Sequence, residues 1–314
     1  MSMRKRKHNV EGRRSSINKG VQKPIVDVSM DDGQNTDFSD LLNKKWKAFR
    51  VSPLYNFNAG RLKRYEMKVT QELNARRKFN SRVTYTCTFV LNEKLRLNQD
   101  CQEAVRVEVK SNEAKIIYLG YFISWVEQKQ ESPGFTILPI LLVHSQGFEI
   151  SNVHMSLCKI FDCDIQPVTF SFFAIITFFT NLLQNPRKST DISQEVLSLD
   201  YKIPCCGPKD KLTVTLFLQD TIIVLATIID TVREKYSKVK NSELVMEFYN
   251  RILSHIYNVY NMELTLAELN KIVFPDAFIT TDGQIKLSTD EVATVVLQLM
   301  QKFVVLDHFS DAPN

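Results

Sequence analysis

Residues 44–57, KKWKAFRVSPLYNF, decide how this chain is read, because they place four cations and four aromatic rings within fourteen positions. Two interpretations compete. In the first, the segment is a nucleic-acid surface on which rings stack against bases and cations hold phosphates. In the second, it is an amphipathic segment whose rings dock in the core while its charges face solvent.

The apolar spacing around this stretch favours the second interpretation. Ser39 is a suitable N-cap, and the apolar residues that follow recur at helical spacing, at Leu41, Leu42, Trp46 and Phe49. Pro53 lacks an N–H and keeps its predecessor out of the helical region, so the helix ends before it. The spacing therefore predicts a helix over residues 37–50, with its rings in the core and an outer basic edge formed by Lys44, Lys45, Lys47 and Arg50.

A second helix is predicted from Gly60 to Phe79. Its apolar stripe consists of Leu62, Tyr65, Val69 and Leu73. The cations lie mostly off this stripe and are the candidate phosphate contacts, together with Lys44 and Lys45: Arg61, Lys63, Arg64, Lys68, Arg76, Arg77 and Lys78.

The net charge of +5 is a difference between regions of opposite sign. Residues 1–23 carry eight Lys and Arg against Glu11 alone, and residues 24–43 carry five Asp and no cation. Residues 44–82 carry twelve Lys and Arg against two Glu, which leaves the remaining body acidic. Such a basic segment would attract a polyanion with a strong salt dependence, although a solvated helix face is the simpler alternative. No helix-turn-helix or zinc-finger signature is present, so phosphate contact without base reading is expected.

Residues 1–37 have the composition of a disordered arm. The cluster Arg4, Lys5, Arg6 and Lys7 is typical of a nuclear-import signal or a phosphate-binding arm, and a solubilising tail is the alternative. Ser15 and Ser16 follow two arginines, where a phosphate would cancel part of the local positive charge.

Beyond residue 82 the apolar period changes to two. Segments 82–90, 104–109, 114–126 and 135–143 are rich in β-branched and aromatic residues and are separated by polar turns, which predicts an antiparallel meander. In 104–109 the alternation of valines with Arg106 and Glu108 predicts a sheet with one wet face.

Helices are then predicted at 150–161 and 170–183, and a strand pair follows at 195–203 and 211–218. Two further helices are predicted at 219–236 and 242–260, a hairpin with an Asp-Gly turn at 277–287, and a last helix at 289–306. The result is an α+β fold, with largely antiparallel sheets, packed helices, two strand-then-helix halves and a C-terminal hairpin and helix. Residues 38–314 are expected to form one domain, or at most two lobes at about 38–190 and 191–314.

Residues that could act in catalysis or bind a metal or cofactor show little pattern. The six cysteines form no C-x-x-C pair, and no zinc, nucleotide-binding or hydrolase motif occurs, so no cofactor, metal or small-molecule substrate is expected. The absence of an apolar leader predicts a reducing compartment, and the apolar run at 170–183 is too short to span a bilayer, which needs roughly 20 residues. His144, His154 and Cys158 remain the candidates for a Cys/His-dependent enzyme, and the alternative is a buried thiol beside a structural histidine.

Several stretches, in this order, resemble the centromere protein L family, whose members are inner-kinetochore subunits. They are LLNKKWKAFRVSPLYNF at 41–57, LKRYE at 62–66, YLGYFISW at 118–125, FTILPILL at 135–142, FDCDIQPVTF at 161–170 and TDGQIKL at 281–287. The strand sequence between 82 and 110 and the C-terminal DHFSDAPN depart from the family pattern.

The resemblance implies a non-enzymatic nuclear scaffold at the centromere. It also implies a heterodimer with centromere protein N, contacts to other inner-kinetochore subunits, and centromeric DNA held along a basic groove. On this basis the 281–287 hairpin is the candidate partner edge, with Ile279, Ile285 and Leu287 as the contacting residues; the alternative is a hairpin covered by its own chain. A stand-alone nonspecific DNA-binding module is the other function that the basic segment allows.

Overall fold

The computed structural model describes residues 36–76, 83–96, 101–125, 134–145, 150–185, 193–203, 207, 210–235 and 241–310. The strands are β1 Lys45–Val51, β2 Leu54–Tyr55, β3 Tyr85–Asn92, β4 Ala104–Ser111, β5 Ile116–Ile123, β6 Phe135–Thr136, β7 Ile140–Ser145, β8 Ile165–Pro167, β9 Val196–Lys202, β10 Lys211–Phe217, β11 Glu268–Val273, β12 Ala277–Thr280 and β13 Gln284–Leu287. The helices are α1 Leu62–Ala75, α2 Ile150–Phe161, α3 Phe172–Gln184, α4 Leu218–Lys235, α5 Asn241–Tyr260 and α6 Asp290–Ser310.

Most strands of the described chain join one antiparallel sheet. Its order is β10, β9, β11, β12, β13, β1, β7, β5, β4, β3, and β8 pairs with β1 off this path. The predicted meander is confirmed, because β3, β4, β5 and β7 are hydrogen-bonded neighbours in that order. The α+β class is confirmed as well.

The helix predicted over residues 37–50 is wrong. Residues 39–43 form turns, and residues 45–51 form strand β1. Strand β1 is buried on both faces, with Trp46 and Ala48 on one side and Phe49 and Val51 on the other. Buried residues on both sides of a strand do not alternate in the sequence, and here their spacing imitates that of a helix.

Two hydrophobic cores lie on opposite faces of the sheet. The smaller core contains Phe49, Val107 and Leu141 and is covered by α1 and α2. The larger core contains Trp46, Leu142 and Ile285 and is covered by α3, α4, α5 and α6. Since adjacent residues of β1 and β7 enter different cores, α1 and α2 cover one face and the C-terminal helices cover the other.

The predicted C-terminal hairpin is confirmed, with β12 and β13 joined at Asp282 and Gly283. Gly283 has φ +78°, and a Cβ there would lie 2.5 Å from the carbonyl oxygen of Val168. The amide of Ala48 donates to the carbonyl of Gly283 at 2.9 Å. Only glycine fits this turn, because the backbone conformation is left-handed and the neighbouring chain is in contact.

The prediction that this hairpin offers a free partner edge is wrong. Strand β13 pairs with β1, and β12 pairs with β11, so both outer sides of the hairpin are already hydrogen-bonded. The side chains of Ile279, Ile285 and Leu287 are fully buried in the larger core. Within the described residues, the outermost strands of the sheet are instead β3 and β10.

The local helix predictions are largely confirmed. Helix α1 begins at Leu62 and buries Tyr65, Val69 and Leu73 as predicted, and its described part ends at Ala75. Helix α3 is buried almost all round by the larger core. No helix among the described residues is long and apolar enough to cross a membrane. The short strands β2 and β8 and the strand β11 carry too weak a pattern to have been predicted, and the strand predicted over 135–143 is divided into β6 and β7.

Strand β1 links the two halves of the sheet, since it pairs with β7 on one side and β13 on the other. Because the two halves share one sheet, we propose that residues 38–314 form a single domain and not two lobes. The basic and acidic arm lies outside the described residues up to position 35. Thr36 donates its hydroxyl to the carbonyl of Arg96 at 2.9 Å.

Candidate nucleic-acid interface

Helix α1 is held rigidly against the outer strand β3. The Asn74 side chain donates to the carbonyl of Tyr85 at 2.9 Å and accepts from the amide of Tyr85 at 3.0 Å. The Tyr65 hydroxyl donates to the carbonyl of Asn56 at 2.9 Å. These bonds, with the buried stripe, fix which face of α1 is turned to solvent.

The two glutamates of α1 are already paired. Glu66 accepts from Lys63 at 2.9 Å and from the amide of Phe89 at 3.1 Å. Glu72 accepts from Lys159 of α2 at 2.5 Å and lies 3.6 Å from Arg76. The hydrogen bond from Lys159 is the main cause that lowers the pKa of Glu72.

Three of the predicted cations on α1 or immediately before it remain unpaired among the described residues. Arg61, Arg64 and Lys68 are exposed and have no carboxylate within ion-pair distance in that part of the chain. Five cations therefore meet only two carboxylates between residues 61 and 76. This excess is available to an anionic partner and does not hold the fold together.

Lys159 extends this basic surface, although nothing in the sequence indicated it. A shallow depression of about 340 Å³ lies between α1 and α2, and its lining includes Lys68, Glu72 and Lys159. Lys159 is distant from α1 in the sequence, so only the packing of α2 beside α1 brings it there. The basic surface is defined here by Arg61, Lys63, Arg64, Lys68, Arg76 and Lys159.

Lys44 and Lys45 do not continue this surface as predicted. Lys44 is half-buried and donates to the carbonyl of Asp40 at 2.9 Å. Lys45 is exposed on β1, four strands away from β3, which is about 19 Å at ~4.8 Å per strand. Arg77 and Lys78 lie outside the described residues, as do Arg4, Lys5, Arg6, Lys7, Ser15 and Ser16.

The Cys/His site is not formed. His144 lies against Trp46 on one face of the sheet, and its Nδ1 is 2.9 Å from the carbonyl oxygen of Lys45. His154 lies on the other face, with its ring centroid 4.5 Å from that of Phe49, and burial lowers its pKa to about 4. Burial raises the pKa of Cys158, which disfavours the thiolate that a nucleophile requires.

No group of three or more His, Cys, Asp or Glu side chains with metal-binding geometry occurs within the described ranges. Cys87 is deeply buried, and burial raises the pKa of its thiol well above the usual range. These cysteines are packing residues in the part of the chain that the structure describes.

The fold and this surface define an α+β protein built on one antiparallel sheet, with a basic helix exposed beside the sheet edge. A profile of the family described as Centromere protein L matches residues 40–306. The chain belongs to the centromere protein L family.

Curated relatives agree with this assignment. Centromere protein L of Rattus norvegicus is 22% identical over 284 residues, which cover 84% of this chain and 79% of the rat protein. Centromere protein L of Mus musculus is 23% identical, with 79% of this chain and 78% of the mouse protein covered. Centromere protein L of Homo sapiens is 21% identical, with 84% of this chain and 80% of the human protein covered. The resemblance identified from the sequence is confirmed.

Proposed function

We propose that this chain is a non-enzymatic structural subunit of the inner kinetochore in the nucleus. In this role it pairs with centromere protein N, contacts other inner-kinetochore subunits and turns a basic surface toward centromeric DNA. Membership of the centromere protein L family supports the centromeric role. The excess of unpaired cations on α1 supports the contact with DNA.

The basic surface suits phosphates and not base edges. Its cations lie on the exposed side of a helix that is bound along its length to β3, so the helix is not free to enter a groove. Lysine and arginine side chains on such a convex surface contact the phosphate backbone without reading the sequence.

The proposed heterodimer would use strand β10 in place of the hairpin. In the described chain β10 is an outermost strand that pairs only with β9. The Phe217 and Val196 side chains lie opposite each other there and are 58% and 44% exposed. An unpaired edge beside an exposed apolar pair is suited to a strand added by another chain.

DNA binding is tested by neutralising Arg64 and Lys68 together. In the complex of the Arg64→Gln/Lys68→Gln variant with centromere protein N, we expect weaker binding to a DNA duplex. We also expect the slope of log association constant against log salt concentration to become shallower by about 0.9 for each phosphate that the variant no longer neutralises. The matched control is Lys115→Gln/Arg251→Gln, which removes two exposed cations elsewhere. Equal affinity and equal salt slope for both variants would contradict the role of α1.

The heterodimer is tested by co-expression with centromere protein N. Phe217→Asp places a charge on the β10 edge and should abolish co-purification, while the exposure of Phe217 leaves the fold intact. Val90→Asp is the control, because Val90 is 52% exposed on the opposite outer strand β3. Loss of the partner with Val90→Asp and retention with Phe217→Asp would move the interface to β3. Tight DNA binding by the isolated chain, with no partner recovered, would favour the stand-alone module.

A further inference from the structure

We propose that helix α1 closes the β3 edge of the sheet against a strand from another chain. Within the described residues the outer strands are β3 and β10, so strand addition is then confined to β10. The confinement to β10 deepens the proposed function and rests on it, whereas the closure of β3 stands on the contacts of α1.

Three polar side chains of α1 hydrogen-bond to the outer backbone groups of β3. We call Glu66, Thr70 and Asn74 the cap row. The amide of Phe89 donates to Glu66 at 3.1 Å, that of Cys87 to Thr70 at 2.9 Å, and that of Tyr85 to Asn74 at 3.0 Å. The Asn74 side chain also donates to the carbonyl of Tyr85 at 2.9 Å. The row thus binds three amides and one carbonyl of the strand edge.

The geometry of a helix lying antiparallel to a strand makes this row possible. The cap row recurs every four residues of α1, which is a rise of about 6 Å. The bonded amides recur every two residues of β3, which is about 6.8 Å. Amides two residues apart in a strand point to the same side, so all three point away from β4. The row therefore stands where the backbone of an added strand would bind.

The cap row is a separate side of α1. The buried stripe at Tyr65, Val69 and Leu73 lies one position before each member of the row. Arg64 and Lys68, which belong to the basic surface, lie one position before two residues of that stripe and are exposed. The row and these cations therefore flank the stripe on opposite sides, and a change in one leaves the other in place.

The residue types of the row also indicate a role beyond helix formation. Threonine and asparagine are weaker helix formers than alanine or leucine, because they lose side-chain freedom or compete for backbone groups. Thr70 and Asn74 nevertheless lie inside α1, half-buried between the helix and the strand. Their bonds to β3 account for their presence there.

The other outer strand lacks such a cover. In the described chain, the backbone of β10 is hydrogen-bonded along its length to β9, and no side chain is bonded to an amide of β10. The two edges of the sheet therefore differ: polar side chains of α1 occupy the β3 edge, and the β10 edge is available.

Closure of one edge limits the size of an assembly. If both outer strands were open, β3 of one copy could pair with β10 of the next. Such a head-to-tail contact between unlike surfaces produces an open chain of copies unless its rotation closes a ring. Natural sheets prevent this association by covering an edge with a helix, among other means. With β3 closed, each chain accepts one added strand, and assembly by strand addition ends at one partner.

Residue-resolved amide hydrogen exchange of the unmodified full chain tests the closure without mutation. In an open edge strand, the outward amides exchange much faster than the amides bonded to the neighbouring strand. We expect the outward amides of Cys87 and Phe89 to exchange within about tenfold of the inward amides of Thr86 and Thr88. A larger difference, with Cys87 and Phe89 the faster pair, would overturn the closure.

A variant that lacks two members of the row tests the consequence for assembly. Thr70→Val/Asn74→Leu keeps side chains of similar size but removes their hydrogen bonds to β3. We expect exchange at Cys87 to become about tenfold faster or more, and sedimentation velocity to show larger species as the protein concentration rises.

The matched control is Gln71→Val/Ala75→Leu, which adds the same two apolar side chains at the same spacing on the exposed side of α1. It should sediment like the unmodified chain. Equal sedimentation of the two double variants would overturn the proposal, even if exchange at Cys87 were faster, because an uncovered β3 would then add no strand.

The direction of growth is tested by adding Phe217→Asp to Thr70→Val/Asn74→Leu. If copies join β3 to β10, the charge on the β10 edge should limit the species to a dimer at most, paired through β3. Larger species that persist with Phe217→Asp would overturn the confinement of strand addition to β10.

The outcome is distinguishable from failure of the proposed function, because exchange at Cys87 and Phe89 requires neither centromere protein N nor DNA. If exchange shows β3 closed while Phe217→Asp retains centromere protein N, the closure stands and the proposed heterodimer edge fails. If exchange shows β3 open while Phe217→Asp abolishes co-purification, the proposed function stands and the closure fails.

Discussion

Trp46 and Phe49, three residues apart on β1, anchor two different cores on opposite faces of the sheet. The Trp46 indole donates its N–H to the carbonyl of Leu41 at 2.8 Å and packs edge-on to Tyr121. Phe49 packs edge-on to His154 beneath α2. One strand therefore couples the N-terminal meander to the C-terminal half.

Truncation of either ring should destabilise the whole chain. Both side chains are buried, at 1% and 8% exposure, and a ring-to-alanine change in a packed core costs about 3–5 kcal/mol. We expect Trp46→Ala and Phe49→Ala each to lower the free energy of unfolding by that amount in urea titrations. Trp46→Phe is the milder control. A Trp46→Ala variant that unfolds in two separate steps would show that β1 does not couple the halves.

The hairpin turn should tolerate no side chain at Gly283. In Gly283→Ala the residue would keep a left-handed φ, and its new Cβ would lie 2.5 Å from the Val168 carbonyl oxygen. Gly134→Ala has a similar φ of +85° but only an ordinary contact of 3.7 Å with Tyr55. We expect about 1 kcal/mol of destabilisation at Gly134 from the backbone alone and clearly more at Gly283. Equal melting temperatures for the two variants would show that the turn moves away from Val168.

Acid should destabilise the smaller core through His154. Burial lowers the pKa of His154 to about 4, below the usual value of about 6.5, so the unfolded chain binds the proton more tightly. The stabilisation is complete above about pH 6.5 and is lost as the pH falls to about 4, up to ~3 kcal/mol. His154→Gln should flatten the pH dependence of the free energy of unfolding in this window, which urea titrations at several pH values measure.

Asp282 contributes below that window. Burial alone would raise the pKa of Asp282, but hydrogen bonds from Thr280, Gln284 and Lys47 bring it to about 2. Its stabilisation is present above about pH 4 and is lost only as the pH falls toward 2. A free energy of unfolding that still falls between about pH 6.5 and about pH 5.5 in His154→Gln would contradict the assignment to His154.

Lys202 and Lys211 lie directly opposite each other on β9 and β10 and should differ in their effect on stability. Lys211 pairs with Asp200, whose side chain is only 7% exposed, whereas Lys202 has no ion pair among the described residues. Lys211→Gln should cost about 1 kcal/mol, a value reduced by the exposure of Lys211 and by the Thr213 bond that Asp200 keeps. Lys202→Gln should be neutral or slightly stabilising, because it relieves like-charge repulsion. Chemical denaturation of the two variants at low salt measures the difference, and a greater destabilisation by Lys202→Gln would contradict it.

Local sequence patterns predicted much of the fold. Alternation between Val105 and Val109 predicted strand β4, although Ala104 and Glu108 on its predicted wet side are buried. The Asp-Gly pair at 282–283 predicted a hairpin, and the stripe through Tyr65 and Val69 predicted α1. Each of these depends on residues within one element, so the sequence alone determined them. The centromere protein L resemblance was also readable there, from short stretches kept in order.

Tertiary structure decided the rest, because the spacing of residues within one segment does not show which strands pair or which strands are buried on both faces. Residues 41–49 show helical periodicity, yet pairing of β1 with β7 and β13 makes them a turn and a central strand. The same pairing buries the hairpin, leaves β10 as an outer strand and sets Lys45 opposite Lys286. Lys159 reaches Glu72 only because α2 packs beside α1. In each case the partner lies far away in the sequence, so no local pattern specifies the contact.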